Sequence, residues 1–218
     1  MTRDPFWNHN THFHPEILRH AAGAASALDV GCGEGLLTRR LAAAGVGRVV
    51  GLDLDPAEVA RAEALADGDP RLTYVAADVL TGHDPAGHDP AGHDPARHDG
   101  TAHDLGTFDV VACIATLHHV DLAKGLTALR DLVAPGGVLM VVGLSRPGSA
   151  LDLAFDLASV PVAAVARHVR GEWEHGSPVA DPAETFGQVR HAAGDLMPGA
   201  RVRRRLYWRY TLEWRRPA

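Results

Sequence analysis

Cysteine is scarce in this chain. Its 218 residues include two, Cys32 and Cys113, one in a glycine-rich turn and one in an apolar run. Both read as reduced thiols of a cytoplasmic protein; one bridge between them is conceivable, but a chain long enough to bury a continuous core needs no staple. Excess positive charge is missing as well. The formal net charge is −6, which argues against a general polyanion binder, because non-specific nucleic-acid affinity comes from excess cations that release phosphate counterions. Long apolar runs are also lacking. The most apolar stretch, residues 150–169, is interrupted by Asp152, Asp156, Pro161, Arg167 and His168, well short of the ~20 apolar residues of a bilayer span. Residues 1–7 hold no apolar segment of signal-peptide type. The expectation is a soluble cytoplasmic protein with no membrane partner.

What is present is the rhythm of an α/β domain. Apolar, β-branched runs alternate with helical patterns, the signature of a parallel sheet covered on both faces. Strands are predicted at 27–31, 48–53, 72–76, 108–113 and 138–144. A helix over 34–44 carries Leu36, Leu37 and Leu41 on one face. Another starts with Asp55 as N-cap and Pro56 at its first position and runs to about residue 66. A third places Leu122, Leu126, Leu129 and Val133 on one side and ends at Pro135-Gly136-Gly137. Beyond the fifth strand, 149–170 and 182–194 read as helical, with a loop over 171–181. The tail alternates Val202, Leu206, Trp208, Tyr210, Leu212 and Trp214 at even positions, which indicates strand, with two strands joined by a tight turn preferred over one. One segment breaks the pattern. Gly82-His-Asp-Pro-Ala recurs from Gly87 and Gly92, and histidines follow every five residues at 83, 88, 93, 98 and 103. Prolines and a lack of apolar side chains make 82–104 an expected disordered insertion, able to bind a transition metal only adventitiously.

Five features fall in order at the carboxyl ends of successive strands, where open α/β sheets place ligands. They are Asp29-Val-Gly31-Cys-Gly33-Glu-Gly35, Asp53 at the tip of strand two, Asp78 after strand three, the run 108–119 ending in Leu117-His118-His119, and the Pro135-Gly-Gly turn. A nicotinamide-type Gly-x-Gly-x-x-Gly is not formed, because Leu36 stands at its third position. Taken alone, each acid has a structural alternative: Asp29 capping the turn, Asp53 an ordinary strand-end acid, Asp78 a loop residue beside the insertion.

The set resembles the motif series of class I S-adenosylmethionine (SAM)-dependent methyltransferases, in the small-molecule branch that includes the ubiquinone-type enzymes, over residues 27–144. The resemblance implies a Rossmann-like seven-stranded sheet with helices on both faces and an antiparallel C-terminal strand pair. Residues 1–218 would form one domain, with 1–24 as a lid and 145–195 as a helical substrate-side region. It also implies a SAM site yielding S-adenosylhomocysteine: Gly31, Cys32, Gly33 and Gly35 bordering the methionine part, and Asp29 ordering the turn and accepting from the amino group. Asp53 would hold the ribose with Leu54 beside it, Asp78 the adenine with Val79 beside it, and Ile114 would pack near the ring.

Methyl transfer from a sulfonium is an in-line displacement, so positioning can carry most of the catalysis and a base is needed only for a protonated acceptor. His118 and His119 are the candidates for that base, the alternative being that they pack on the cofactor or the following helix. His9, in Trp7-Asn-His9-Asn-Thr-His12-Phe-His14, is the lead-in residue expected to point inward; three histidines without a nearby cysteine or acid do not make a zinc site. Seven arginines between Arg201 and Arg216, interleaved with aromatics, allow an RNA- or protein-docking surface, but a strand pair with its arginines in solvent is preferred. Strand four leads into Ile114-Ala-Thr rather than the Asn/Asp-Pro-Pro-aromatic motif of amino-nucleobase methyltransferases. The expected activity is therefore methylation of a small organic molecule at oxygen, nitrogen or carbon, with a non-catalytic SAM-binding scaffold as the rival from another class.

Overall fold

The computed structural model describes residues 4–80, 105–171, 173 and 181–218; the repeat at 82–104 lies outside them. Seven strands form one sheet: β1 (Ser26–Val30), β2 (Arg48–Asp53), β3 (Leu72–Ala76), β4 (Phe108–Ile114), β5 (Val133–Leu144), β6 (Arg201–Arg205) and β7 (Arg209–Arg215). Their order is β3-β2-β1-β4-β5-β7-β6. The first five strands run parallel, while β7 is antiparallel to both β5 and β6. Strand order therefore reverses between β1 and β4, and the crevice above their carboxyl ends is the natural ligand site.

Alternation along the inner strands sends side chains into two apolar layers. Leu28, Val30, Val111, Cys113, Leu139 and Val141 face one core together with Leu126 and Leu129 of α4 (Leu122–Asp131) and Val189 and Ala193 of α6 (Phe186–Leu196). Ala27, Val49, Val110, Ala112 and Met140 face the other, with Ile17 of α1 (His14–His20) and Leu37 and Leu41 of α2 (Leu36–Ala43). Coverage on both faces explains why these strands read as nearly continuous apolar runs. The third helix on this part of the sheet, α3 (Pro56–Leu65), starts as expected: the Asp55 carboxylate accepts from the Ala57 N–H.

Two boundaries differ from the sequence reading. Val133 does not continue the helix: the chain turns at Leu132, whose carbonyl accepts from the Phe108 N–H, and Val133 enters β5 opposite Phe108. Between the pairs Phe108–Val133 and Val110–Val138 the register shifts, so Ala134-Pro135-Gly136 bulges outward and the Pro-Gly-Gly turn lies inside the strand. The helix expected at 182–194 begins later, at Phe186, because Thr185 and Gln188 form a reciprocal capping box. α5 (Ala150–Arg170) holds Pro161 within it. Among the described residues no helix is long and apolar enough to cross a membrane.

Candidate functional site

β1 ends one residue past Asp29, and the chain turns at once. The N–H groups of Gly31 and Cys32 both donate to the Leu52 carbonyl of β2, at 2.7 and 3.0 Å. Gly31 takes φ +74° and a Cβ there would collide with the Thr116 side chain, whereas Gly33, at φ +51°, faces open space with Glu58 Oε2 4.0 Å away. Close approach of a ligand to the backbone is thus possible at Gly33 and already taken up by protein at Gly31. Beneath this corner lies Asp29, 3% exposed, whose carboxylate takes no hydrogen bond among the described residues. Burial, and then the neighbouring charge of Asp53, push its pKa up to about 7. A buried carboxylate without a donor is a costly group, and its arrangement suits a cation.

Asp53, at the tip of β2, accepts from the Gly33 N–H through Oδ2 at 2.8 Å and from the Asp55 N–H through Oδ1 at 3.0 Å. Each oxygen keeps a lone pair for a further donor. Leu54 beside it is 71% exposed, an apolar side chain held over the strand end. Asp78 lies two residues beyond β3 and accepts from the Leu80 N–H at 2.9 Å, so part of its role is to shape the turn. Val79 points into the core and brings only backbone to the crevice. Ile114 closes β4 and packs on the α1–α2 layer, followed by Ala115 at φ +53°, a left-handed conformation that a non-glycine residue adopts only under constraint. Cys32 turns away from the open face toward Tyr74 and Val59; both cysteines are free thiols, and burial pushes the Cys32 thiol up.

A 3-10 turn, Leu117–His119, follows the end of β4. His118 is partly buried, and among the described residues its Nδ1 has no hydrogen-bond partner; burial, His119 and Arg209 lower its pKa to about 4. It is therefore neutral at pH 7 and able to accept a proton. His119 is exposed and rests 4.1 Å from the His118 ring. The three leading histidines part company. His9 stacks on Tyr207 at 4.9 Å and 11°, His12 sits edge-on to the same ring, and buried His14 meets Arg40, which Asp4 holds by two 2.8 Å bonds. The lead-in is tied to the segment after α5, since the Trp173 N–H donates to the Trp7 carbonyl at 2.8 Å.

A family model described as a methyltransferase domain matches residues 28–139. An uncharacterized methyltransferase of Mycobacterium tuberculosis is 35% identical, with 98% of this chain and 99% of the relative covered. The chain belongs to the methyltransferase family. A ubiquinone biosynthesis O-methyltransferase of Vibrio parahaemolyticus is 36% identical over 135 residues, 60% of this methyltransferase and 49% of its own length. Magnesium protoporphyrin IX methyltransferase from Synechocystis, solved with bound S-adenosylhomocysteine, superposes with a TM-score of 0.57 at 18% identity, covering 94% of this chain and 82% of that one. The likeness shows the shared class I fold, including the antiparallel C-terminal pair.

In this methyltransferase several residues around the site escaped the sequence reading. Tyr74 of β3 lies in register with Gly51, where a Cβ would collide with its ring. Its hydroxyl meets Thr38 Oγ1 at 2.7 Å and so braces the start of α2. The signal was the glycine inside β2, which marks a close approach. Thr116 and Arg209 carried no such mark. The tail also needs correcting. Arg201, Arg203 and Arg215 are exposed as expected, but Arg204 pairs with Asp152, Arg205 with Glu16, and Arg209 bonds Asn10. Tyr207, Tyr210 and Trp214 are buried, so they offer no stacking platform for nucleic-acid bases.

Proposed function

We propose that this methyltransferase uses SAM to methylate a small organic acceptor at the carboxyl ends of β1, β2 and β4, leaving S-adenosylhomocysteine. When bound, SAM supplies an electrophilic methyl on a sulfonium, so little covalent chemistry falls to the protein. Asp29 carries this reading: a buried carboxylate with no donor among the described residues, beside an open Gly33, fits the α-ammonium of the methionine part. Asp53 would take the ribose hydroxyls on its spare lone pairs, and Asp78 the adenine amino group. Leu54 and Ile114 would flank the ring, with Val79 contributing backbone; Gly31, Cys32 and Gly35 shape the corner. His118 would take a proton from the acceptor, while exposed His119 supports it and His9 belongs to the acceptor wall. Residues 1–24 and the 145–195 region would cover that acceptor.

The test is calorimetry with SAM and S-adenosylhomocysteine on wild type, Asp29→Asn and Asp53→Ala. Losing a charge-assisted contact worth ~1.5–3 kcal/mol should weaken binding about 10- to 100-fold. Unchanged affinity in a variant would remove that residue from the site, and no binding to wild type would remove the cofactor.

A further inference from the structure

The cation Arg209 is partly buried and, among the described residues, lacks an acid. It opens β7, in register with Leu144 at the carboxyl end of β5, on the side of the sheet edge where His118 lies. Nε and Nη2 donate to Asn10 Oδ1 at 3.0 and 2.8 Å, and Nη1 to the Tyr207 carbonyl at 3.2 Å. Both acceptors are neutral, and two of the five N–H donors of the guanidinium are left over. Among the described residues no carboxylate pairs with it, although Arg204 and Arg205 on the adjacent strand have Asp152 and Glu16. Burial lowers the Arg209 pKa to about 10, and its charge reaches His118. A partly desolvated cation that helps keep a neighbouring histidine neutral is poorly explained by folding alone.

The surroundings are flat and aromatic. The turn before Arg209 holds Tyr207 at φ +64° and Trp208 at φ +57°, the left-handed pair that a tight hairpin between β6 and β7 requires. The ring of His9 lies parallel to Tyr207 and 5.7 Å from Trp208 at 60°. The partly exposed rings of His9 and Trp208 thus meet beside buried Tyr207, in the turn that leads into Arg209.

We infer that the methyl acceptor is a small planar carboxylate, its charge held by Arg209 and its face by the partly exposed rings of His9 and Trp208. The inference rests on the reading of the chain as a SAM-dependent enzyme. It places opposite charges at the two ends of the site: Asp29 toward the ammonium of the donor and Arg209 toward the anion of the acceptor, with His118 beside the latter.

The test is binding to the protein saturated with S-adenosylhomocysteine, using 3-hydroxybenzoate and indole-3-carboxylate against their primary amides. The acids should bind at least about tenfold more tightly than the amides, the worth of one charge-assisted contact. Arg209→Gln should erase that preference and Arg209→Lys keep part of it. Asn10→Asp, which supplies an internal carboxylate while leaving the guanidinium in place, should also erase it. Affinity for S-adenosylhomocysteine should be equal in all four proteins. Failure of wild type to bind S-adenosylhomocysteine would overturn the cofactor reading and this inference with it. Normal cofactor binding with acids no better than amides, with neither series binding, or with the preference intact in Arg209→Gln and Asn10→Asp would overturn this inference alone.

Discussion

Asp29 should release a proton when the cofactor binds. Its pKa of about 7, raised first by burial and then by Asp53, leaves the carboxyl about nine-tenths protonated at pH 6 and half protonated at pH 7. The α-ammonium of S-adenosylhomocysteine arrives charged at both pH values and would return the carboxyl to its ionised form. Calorimetry at pH 6 in buffers of different ionisation enthalpy should therefore report release of ~0.9 proton per ligand, falling to ~0.5 at pH 7. His118, with its pKa lowered to about 4, is already neutral and adds little. The stability side follows with the opposite sign to an ion-paired acid. Because the folded pKa is raised, the folded chain holds the proton more tightly between pH 3.8 and 7, and stability is lost as pH rises through that window. The loss is at most ~4 kcal/mol, three units at ~1.4 each. Asp29→Asn should accordingly raise the melting temperature of the cofactor-free protein at pH 8, weaken S-adenosylhomocysteine binding, and abolish the buffer dependence. Tight wild-type binding with no buffer dependence at pH 6, or the same dependence in Asp29→Asn, would refute the reasoning.

Other perturbations probe separate parts of the structure. Gly31→Ala drives a Cβ into Thr116 at a positive φ and should cost ~1–3 kcal/mol in urea unfolding. Gly33→Ala meets open space, so it should cost only ~1 kcal/mol of stability and act mainly on cofactor affinity. His14, buried beside Arg40, has its pKa lowered to about 3. Below pH 6.5 the unfolded chain binds a proton that the folded one refuses, so stability should fall as pH drops toward 3, by ~2 kcal/mol at pH 5. His14→Asn should remove that acid sensitivity in parallel urea titrations. His118→Ala should slow turnover by about 10²-fold or more if the imidazole takes the acceptor proton, and the wild-type acid limb should lie below pH 5 rather than near 6.5; full turnover at every pH in the variant would exclude that role.

Local chemistry made much of this protein legible in advance. The parallel strands announced themselves through apolar runs, α3 through Asp55-Pro56, and the turn after β1 through its glycines, because these signals act within a few residues. Where neighbours distant in sequence decide, the reading faltered. Val133 left its helix for Phe108, 25 positions back by residue number. The late start of α6 is the exception, a local signal passed over: Thr185-x-x-Gln188 spells the capping box that sets it.

The sequence by itself determined the layered α/β order, the family motifs and the set of acids at the strand tips, since periodicity and turn chemistry are written locally. Tertiary structure alone decided that, among the described residues, Asp29 is buried without a donor and Arg209 lacks an acid while its charge reaches His118, and that Cys32 faces Tyr74. Those properties are set by burial and by field, and both arise only when segments far apart in the chain are packed against one another.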